Sequence, residues 1–261
     1  MKPILIFIPG NPSIPGIYDD FLETLKKELN LFKIYNLIHL GQDPTESMDF
    51  DSISLSDVVD DHRKKVDFII KDHPDSRFIV IAHSLGATVA STLCLEFEEK
   101  LDSVYFLMPF LYLSGKNKYI VKLMSYGVLQ NIFYFFICFV LNFEDISHSL
   151  FIRFGKEKSN LVKAYISNKR YLKNLSMLLK SYQLSFANND YFKPLPFCNL
   201  KLHFLFAKND LWSPSSMTQK LPGRVFSIVD NEVSHDFCLL ASDSQKVVHH
   251  IKKWHVNNND K

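Results

Sequence analysis

The stretch 78–86, Phe-Ile-Val-Ile-Ala-His-Ser-Leu-Gly, constrains the fold of this 261-residue chain more than any other. Four apolar residues, 78–81, read as a buried strand running straight into Ala82-His83-Ser84-Leu85-Gly86, and a helix-like segment rich in small residues follows from 87 to 100. Strand, sharp turn and helix around small-x-Ser-x-Gly is the pattern of a nucleophile elbow, here with Ala82 in place of the first glycine. The central serine of such a turn adopts a strained backbone, which forces the residues two before and two after it together. Ala82 and Gly86 are small enough. Ser84 is then the candidate nucleophile, and the N–H of Leu85, at the start of the helix, points into the same space. The plain alternative is an ordinary strand-to-helix turn.

Elsewhere the chain alternates. Residues 4–8 form a continuous apolar run that ends at Pro9-Gly10-Asn11-Pro12, a strand leading into a tight loop. Helical spacing follows from 18 to 29, then a short strand at 33–40. A helix capped by Ser54 or Ser56 runs to about Lys71, and the next strand after the elbow spans 103–108. This order predicts an open, mostly parallel α/β sheet flanked by helices, with the elbow strand near its centre and ligands bound at the carboxyl edge. The loop after the first strand is where an elbow hydrolase places its second oxyanion donor, and the backbone N–H of Asn11 is the candidate, since Pro12 has none.

From 110 to 196 the alternation stops and the chain reads as mostly helical, which predicts a lid or cap inserted over the catalytic edge. The core is then 1–109 together with 197–261. Within the insertion, ten unbroken apolar residues open at Ile132 and close at Leu141, four of them Phe. A spanning helix needs about 20, so this run does not cross a bilayer. It is either a buried lid helix or a segment that dips into a lipid surface.

After the insertion, the strand 201–207 is followed at once by Lys208-Asn209-Asp210, and the strand 225–229 by Ser234-His235-Asp236. Asp210 therefore sits at a strand end where a triad acid belongs, and His235 where the base would descend. The order Ser84, Asp210, His235 is that of a serine hydrolase built on an elbow. Asp236 is a poor acid because adjacent side chains diverge. Among the other histidines, His62 and His73 are expected on or beside a polar helix face, His203 inside a strand, and His83 pointing away from the site. His39 is the one rival placed to reach it.

Composition excludes several classes. With 47 % apolar and 22 % charged residues and a net charge of +2, the chain is neither disordered nor patterned for nucleic acid, and its lysines look scattered among acids. Cys94, Cys138, Cys198 and Cys238 show no zinc spacing, so free thiols in a reducing compartment are expected. The apolar run near the start is too short for a signal-peptide core, and secretion is not expected. No metal or organic cofactor is called for.

Taken together, Ile8-Pro-Gly-Asn-Pro12 with Gly16-Ile-Tyr18, Ala82-His-Ser-Leu-Gly-Ala87, Phe106-Leu-Met-Pro109, Asn209-Asp-Leu-Trp212 with Pro214, and Ser234-His-Asp-Phe237 resemble the lipid droplet-associated hydrolase family. The resemblance implies an α/β-hydrolase fold and a serine esterase acting on sterol esters, acylglycerols or similar lipid esters. Its setting would be the cytosolic surface of lipid droplets or the endoplasmic reticulum, with the run from Ile132 to Leu141 touching lipid. Carried over, Ser84 is the nucleophile, Asp210 the acid and His235 the base. Two other readings stay open: a lipid-surface scaffold with little catalytic power, and acyl transfer or thioester hydrolysis through the same acyl-enzyme.

Overall fold

Continuous apolar runs become central strands when both faces of a sheet are covered, and this chain builds its core that way. The structure, a computed structural model, describes residues 2–43, 50–112, 118, 119, 122, 156–186, 199–221 and 225–259. Strands β1 (Ile4–Ile8) and β3 (Phe78–His83) are buried along their whole length, and β4 (Leu101–Leu107) and β5 (Lys201–Ala207) at all but one residue. β2 (Lys33–Asn36) and β6 (Val225–Asp230) are the half-covered edges. All six pair in parallel in the order β2-β1-β3-β4-β5-β6. Side chains alternate across the sheet: Ile4, Ile6 and Ile8 join one core, Leu5 and Phe7 the other.

The first core lies under α2 (Leu55–Asp72) and α3 (Leu85–Glu96). The second lies under α1 (Asp19–Glu28) and α6 (Ala241–Asn259), which pack on each other. Two further helices, α4 (Lys156–Ile166) and α5 (Lys169–Phe186), lie against the loops at the carboxyl edge. Asn174 on α5 donates to the Gly41 carbonyl at 2.7 Å, and Ser181 accepts the Leu55 N–H at 2.8 Å. The run from Ile132 to Leu141 lies outside the described residues. Among those described, no helix is long and apolar enough to cross a membrane.

β1 and β5 coincide with the sequence expectation, whereas β2 stops at Asn36 instead of running to 40. Beyond Asn36 the chain turns inward, and the His39 N–H bonds to Ser13 Oγ at 3.0 Å rather than to a strand. The C-terminal helix starts at Ala241, after a single tight turn over Phe237–Leu239. Ser54 is the cap of α2: its Oγ accepts the Asp57 N–H at 3.1 Å and Asp57 accepts the Ser54 N–H at 2.8 Å, a reciprocal capping box. Replacing Ser54 with alanine is expected to cost about 1 kcal/mol in a urea titration. An unchanged midpoint would show that packing alone starts the helix.

Strand order reverses between β1 and β3, so the loops leaving these two strands diverge and leave a crevice above the carboxyl edge. Ser84 leaves β3 and Gly10-Asn11 leave β1. This topology puts the two loops singled out in the sequence face to face.

Candidate active site

Ser84 has φ 50° and ψ −115°, a conformation that an L-residue holds only when its surroundings over-determine it. They do so here. Its N–H donates to Leu107 O at 2.9 Å, and its carbonyl accepts Phe110 N–H at 2.9 Å, so β4 and the loop after it grip the turn from both sides. Gly86 is required by space: a Cβ there would collide with the Ile8 carbonyl and come within 2.5 Å of Pro9 O. Gly10 is likewise crowded, its absent Cβ lying 2.8 Å from His83 Nδ1 and 3.1 Å from Ser84 Cβ. These approaches press the β1 loop against the elbow.

The structure brings all three candidates together. Ser84 Oγ lies 3.0 Å from His235 Nε2, and His235 Nδ1 lies 2.6 Å from Asp210 Oδ2. Asp210 is fully shielded at its side chain, and its other oxygen accepts the N–H groups of Trp212 at 2.8 Å and Ser213 at 3.0 Å. The two carboxylate oxygens therefore divide the work, with Oδ1 fixing the side chain to its turn and Oδ2 accepting the hydrogen bond from His235 Nδ1–H. That leaves Nε2 unprotonated and facing the serine hydroxyl, the tautomer a general base needs. The His235 loop is anchored independently, because Asp243 at the start of α6 accepts both the N–H of Ser234 at 3.1 Å and its hydroxyl at 2.7 Å.

Ser84 opens onto a cleft of about 220 Å³ whose walls include Asn11, Ile14, Ile17, Val162 and Leu239. Leu85 is the first residue of α3, where an N–H has no intrahelical acceptor, and Asn11 borders the cleft opposite. The Asn11 side chain is held by Gln42: its Oδ1 accepts Gln42 Nε2 at 2.6 Å, while Gln42 Oε1 accepts the Ser13 N–H at 2.6 Å. Gln42 thus ties down the loop that carries the second candidate donor. On the other side, Lys158 of α4 donates to the Cys238 carbonyl at 2.6 Å and pairs with Asp20 at 2.9 Å, which pins α4 over the His235 loop.

Three expectations about histidines need correction. His83 does not point away from the site but borders the cleft beside Ser84, its ring 5.1 Å from that of His235. His39 does not reach the site: it is buried and its Nδ1 lies 2.7 Å from His62 Nε2. His62 is not on a polar face but fully buried, in register with Leu55, Val58, Val66 and Ile69 along the inner stripe of α2. Burial pushes the His39 pKa down to about 3 and His62 well below its ordinary value, with Lys65 and, for His62, the neighbouring His39 adding to the effect. His203 lies in β5 as expected, stacked on Tyr105. Gln42, Lys158 and Asp243 leave no signal in the sequence, since they bind backbone atoms and polar side chains brought to them only by the fold.

The family model described as lipid-droplet associated hydrolase matches residues 1–238. The chain belongs to this family. Similar relatives are the lipid droplet-associated hydrolases of Drosophila melanogaster, 35 % identical over 119 residues, and Dictyostelium discoideum, 30 % identical over 113 residues. These alignments take in 41 % and 40 % of the chain but only 38 % and 37 % of the relatives' own lengths. In fold, the chain is similar to a peroxisomal α/β-hydrolase from Saccharomyces cerevisiae, with TM-score 0.71 at 13 % identity over 98 % of this chain and 78 % of that one. It is also similar to a monoacylglycerol lipase from Paleococcus ferrophilus, with TM-score 0.64 at 15 % identity over 98 % and 96 %. The fold of this family member is that of the α/β-hydrolases, as the sequence predicts.

Proposed function

We propose that this member of the lipid-droplet associated hydrolase family is a serine hydrolase of lipid carboxylic esters, with sterol esters and acylglycerols as the substrate class. The hydrogen-bonded sequence Ser84, His235, Asp210 at the head of an apolar-walled cleft carries this reading. His235 Nε2 takes the hydroxyl proton as Ser84 Oγ bonds to the ester carbonyl carbon, and Asp210 Oδ2 stabilises the imidazolium that forms. The carbonyl oxygen, now anionic, is received by the N–H groups of Leu85 and Asn11. Collapse breaks the bond to the alcohol, which leaves with the proton from His235. Water then enters, gives a proton to His235 and attacks the acyl carbon; as the bond to Ser84 Oγ breaks, His235 returns that proton to Oγ and the free acid leaves. The aliphatic wall suits an acyl chain, whose burial yields about 25 cal/mol per Å².

The fluorophosphonate reaction tests this without knowledge of the natural substrate. Purified protein is expected to be labelled at Ser84, and His235→Ala to lose the label. A folded wild type left unlabelled both in buffer and in detergent would move the reading to a lipid-surface scaffold.

The surface around the cleft supports action at a lipid boundary, with residues 110–196 as the lid. Residues 156–186 carry seven Lys or Arg and one acid, Glu157, a net +6, whereas the whole chain is +2, so the remainder is net −4. Lysines that look scattered in the linear sequence thus concentrate on α4 and α5. On α5, Lys169, Lys173 and Lys180 are exposed on the face opposite buried Tyr171, Asn174, Leu178 and Tyr182. This stripe suits anionic phospholipid on the cytosolic side of a lipid droplet or of the endoplasmic reticulum. Near an anionic surface each Lys contributes about 1 kcal/mol, so Lys169→Glu/Lys173→Glu/Lys180→Glu is expected to weaken flotation on phosphatidylserine vesicles by on the order of 100-fold. Equal flotation of the variant and wild type would rule the stripe out as a docking face.

A further inference from the structure

A buried chain of hydrogen bonds lies directly beneath the candidate triad, and its direction is fixed at both ends. The Gly10 N–H, which can only donate, meets Tyr18 Oη at 3.1 Å. Tyr18 Oη lies 2.7 Å from His83 Nδ1, and His83 Nε2 lies 2.9 Å from the backbone carbonyl of His235, which can only accept. The proton of His83 must therefore sit on Nε2, so Nδ1 accepts the Tyr18 O–H. The chain then runs Gly10 N–H to Tyr18, Tyr18 O–H to His83 and His83 N–H to His235 C=O, with the Cys238 thiol a further neighbour of the Tyr18 hydroxyl. Tyr18 is 3 % and His83 4 % exposed, so both side chains depend on these partners. Aromatic contacts brace the chain, with the His83 ring 5.8 Å from Tyr18, 5.1 Å from Phe237 and 5.1 Å from His235 itself.

We propose that His83 and Tyr18 are positioning residues that lock the His235 loop to the Gly10-Asn11 loop, setting the base and the oxyanion donor in one geometry around Ser84. The proposal rests on the triad reading above. His83 borders the cleft beside Ser84 and acts through the carbonyl of the very residue whose ring must meet Ser84. Tyr18 does the same through the N–H next to Asn11. The two loops belong to different strands, β1 and β6, and this relay is a direct polar tie between them. Burial, together with the nearby His235, holds the His83 pKa well below its ordinary value, so the neutral form that this pattern requires persists across the working range. Within the sequence, His83 looks like a filler beside the nucleophile and Tyr18 like an ordinary helix-start residue; the geometry gives each a purpose.

The test compares wild type with Tyr18→Phe, His83→Leu and His83→Gln, by the rate of fluorophosphonate labelling per folded molecule and by kcat and KM on a p-nitrophenyl ester. A thermal melt of each variant supplies the folded fraction. Misplacing a catalytic group by an ångström costs up to about 100-fold, so His83→Leu, which fills the space without a donor, is expected to slow labelling by 10- to 100-fold with KM nearly unchanged. His83→Gln restores an N–H toward the His235 carbonyl and is expected to recover most of that loss. Tyr18→Phe removes one hydroxyl and is expected to slow labelling by roughly tenfold, and the pair Tyr18→Phe/His83→Leu to be no slower than His83→Leu alone, because both break one relay. Wild-type labelling rates in Tyr18→Phe and His83→Leu would overturn the proposal, as would a His83→Gln as slow as His83→Leu. If His83→Leu does not fold, Tyr18→Phe against His83→Gln still decides. A wild type labelled no faster than Ser84→Ala would instead overturn the triad reading, and this inference with it.

Discussion

Alanine at Ser84 is expected to lower ester turnover by on the order of 10⁴-fold or more while the protein stays folded. In the proposed mechanism the hydroxyl is the atom that forms the covalent intermediate, and neither the proposed oxyanion donors nor His235 can replace it. What remains in the variant is binding plus any direct attack by water on the ester, a residue of activity that other triads also retain. The fold should tolerate the change because Ser84 is held by its backbone, through Leu107 O and Phe110 N–H, rather than by its side chain. The decisive comparison is turnover of p-nitrophenyl esters beside thermal melts of both proteins. Turnover in Ser84→Ala within tenfold of wild type, with matching melts, would mean that another group performs the chemistry.

Stability is expected to fall steeply between about pH 6.5 and 4.5, before most carboxylates begin to titrate. His39, His62 and His83 are all buried, and burial holds each neutral, His39 with a pKa of about 3 and the other two well below the ordinary value. In the unfolded chain each takes up a proton near pH 6.5. Below that pH the unfolded state therefore binds more protons than the folded one, and acid favours unfolding; above it the three groups contribute no slope. Each histidine that stays neutral costs about 1.4 kcal/mol per pH unit, so three together approach 4 kcal/mol per unit against a typical total of 5–15 kcal/mol. Urea titrations followed by fluorescence at pH 7.5, 6.5, 5.5 and 5.0 would reveal the slope. A midpoint that stays flat down to pH 5 would mean that these imidazoles gain protons without unfolding.

How much of this was legible beforehand depends on what each group binds. β1 is readable to the residue because a strand covered on both faces writes itself as an unbroken apolar run, and β5 because its apolar residues, interrupted only by His203 after the exposed Lys201, run straight into a polar turn. The three candidate triad residues were readable because strand ends are visible and their order is constrained. His62 was misplaced although the signal was present, since it falls in the 55, 58, 62, 66, 69 rhythm of the inner stripe of α2, where polarity alone misleads. The lysine stripe on α5 is likewise written at helical spacing, which appears only when 169, 173 and 180 are placed on one helix face. The relay through Tyr18 and His83 is a different matter: its ends are a backbone N–H and a backbone carbonyl, which nearly every residue has, so no pattern of side chains could reveal it. Tyr18 did stand in one of the motifs that carried the family resemblance, and the relay supplies a physical reason for it to be there.

Ser84 and His235 are separated by 151 positions, with Asp210 and the β1 loop contributed by still other crossovers. The site has no local precursor: no hairpin, helix pair or half of the chain contains enough of it to react with anything. On a ribosome, the base emerges 151 residues after the nucleophile. Labelling of Ser84 would therefore serve as a clock for assembly of the sheet, silent until β6 has docked on β5 and brought His235 to the nucleophile.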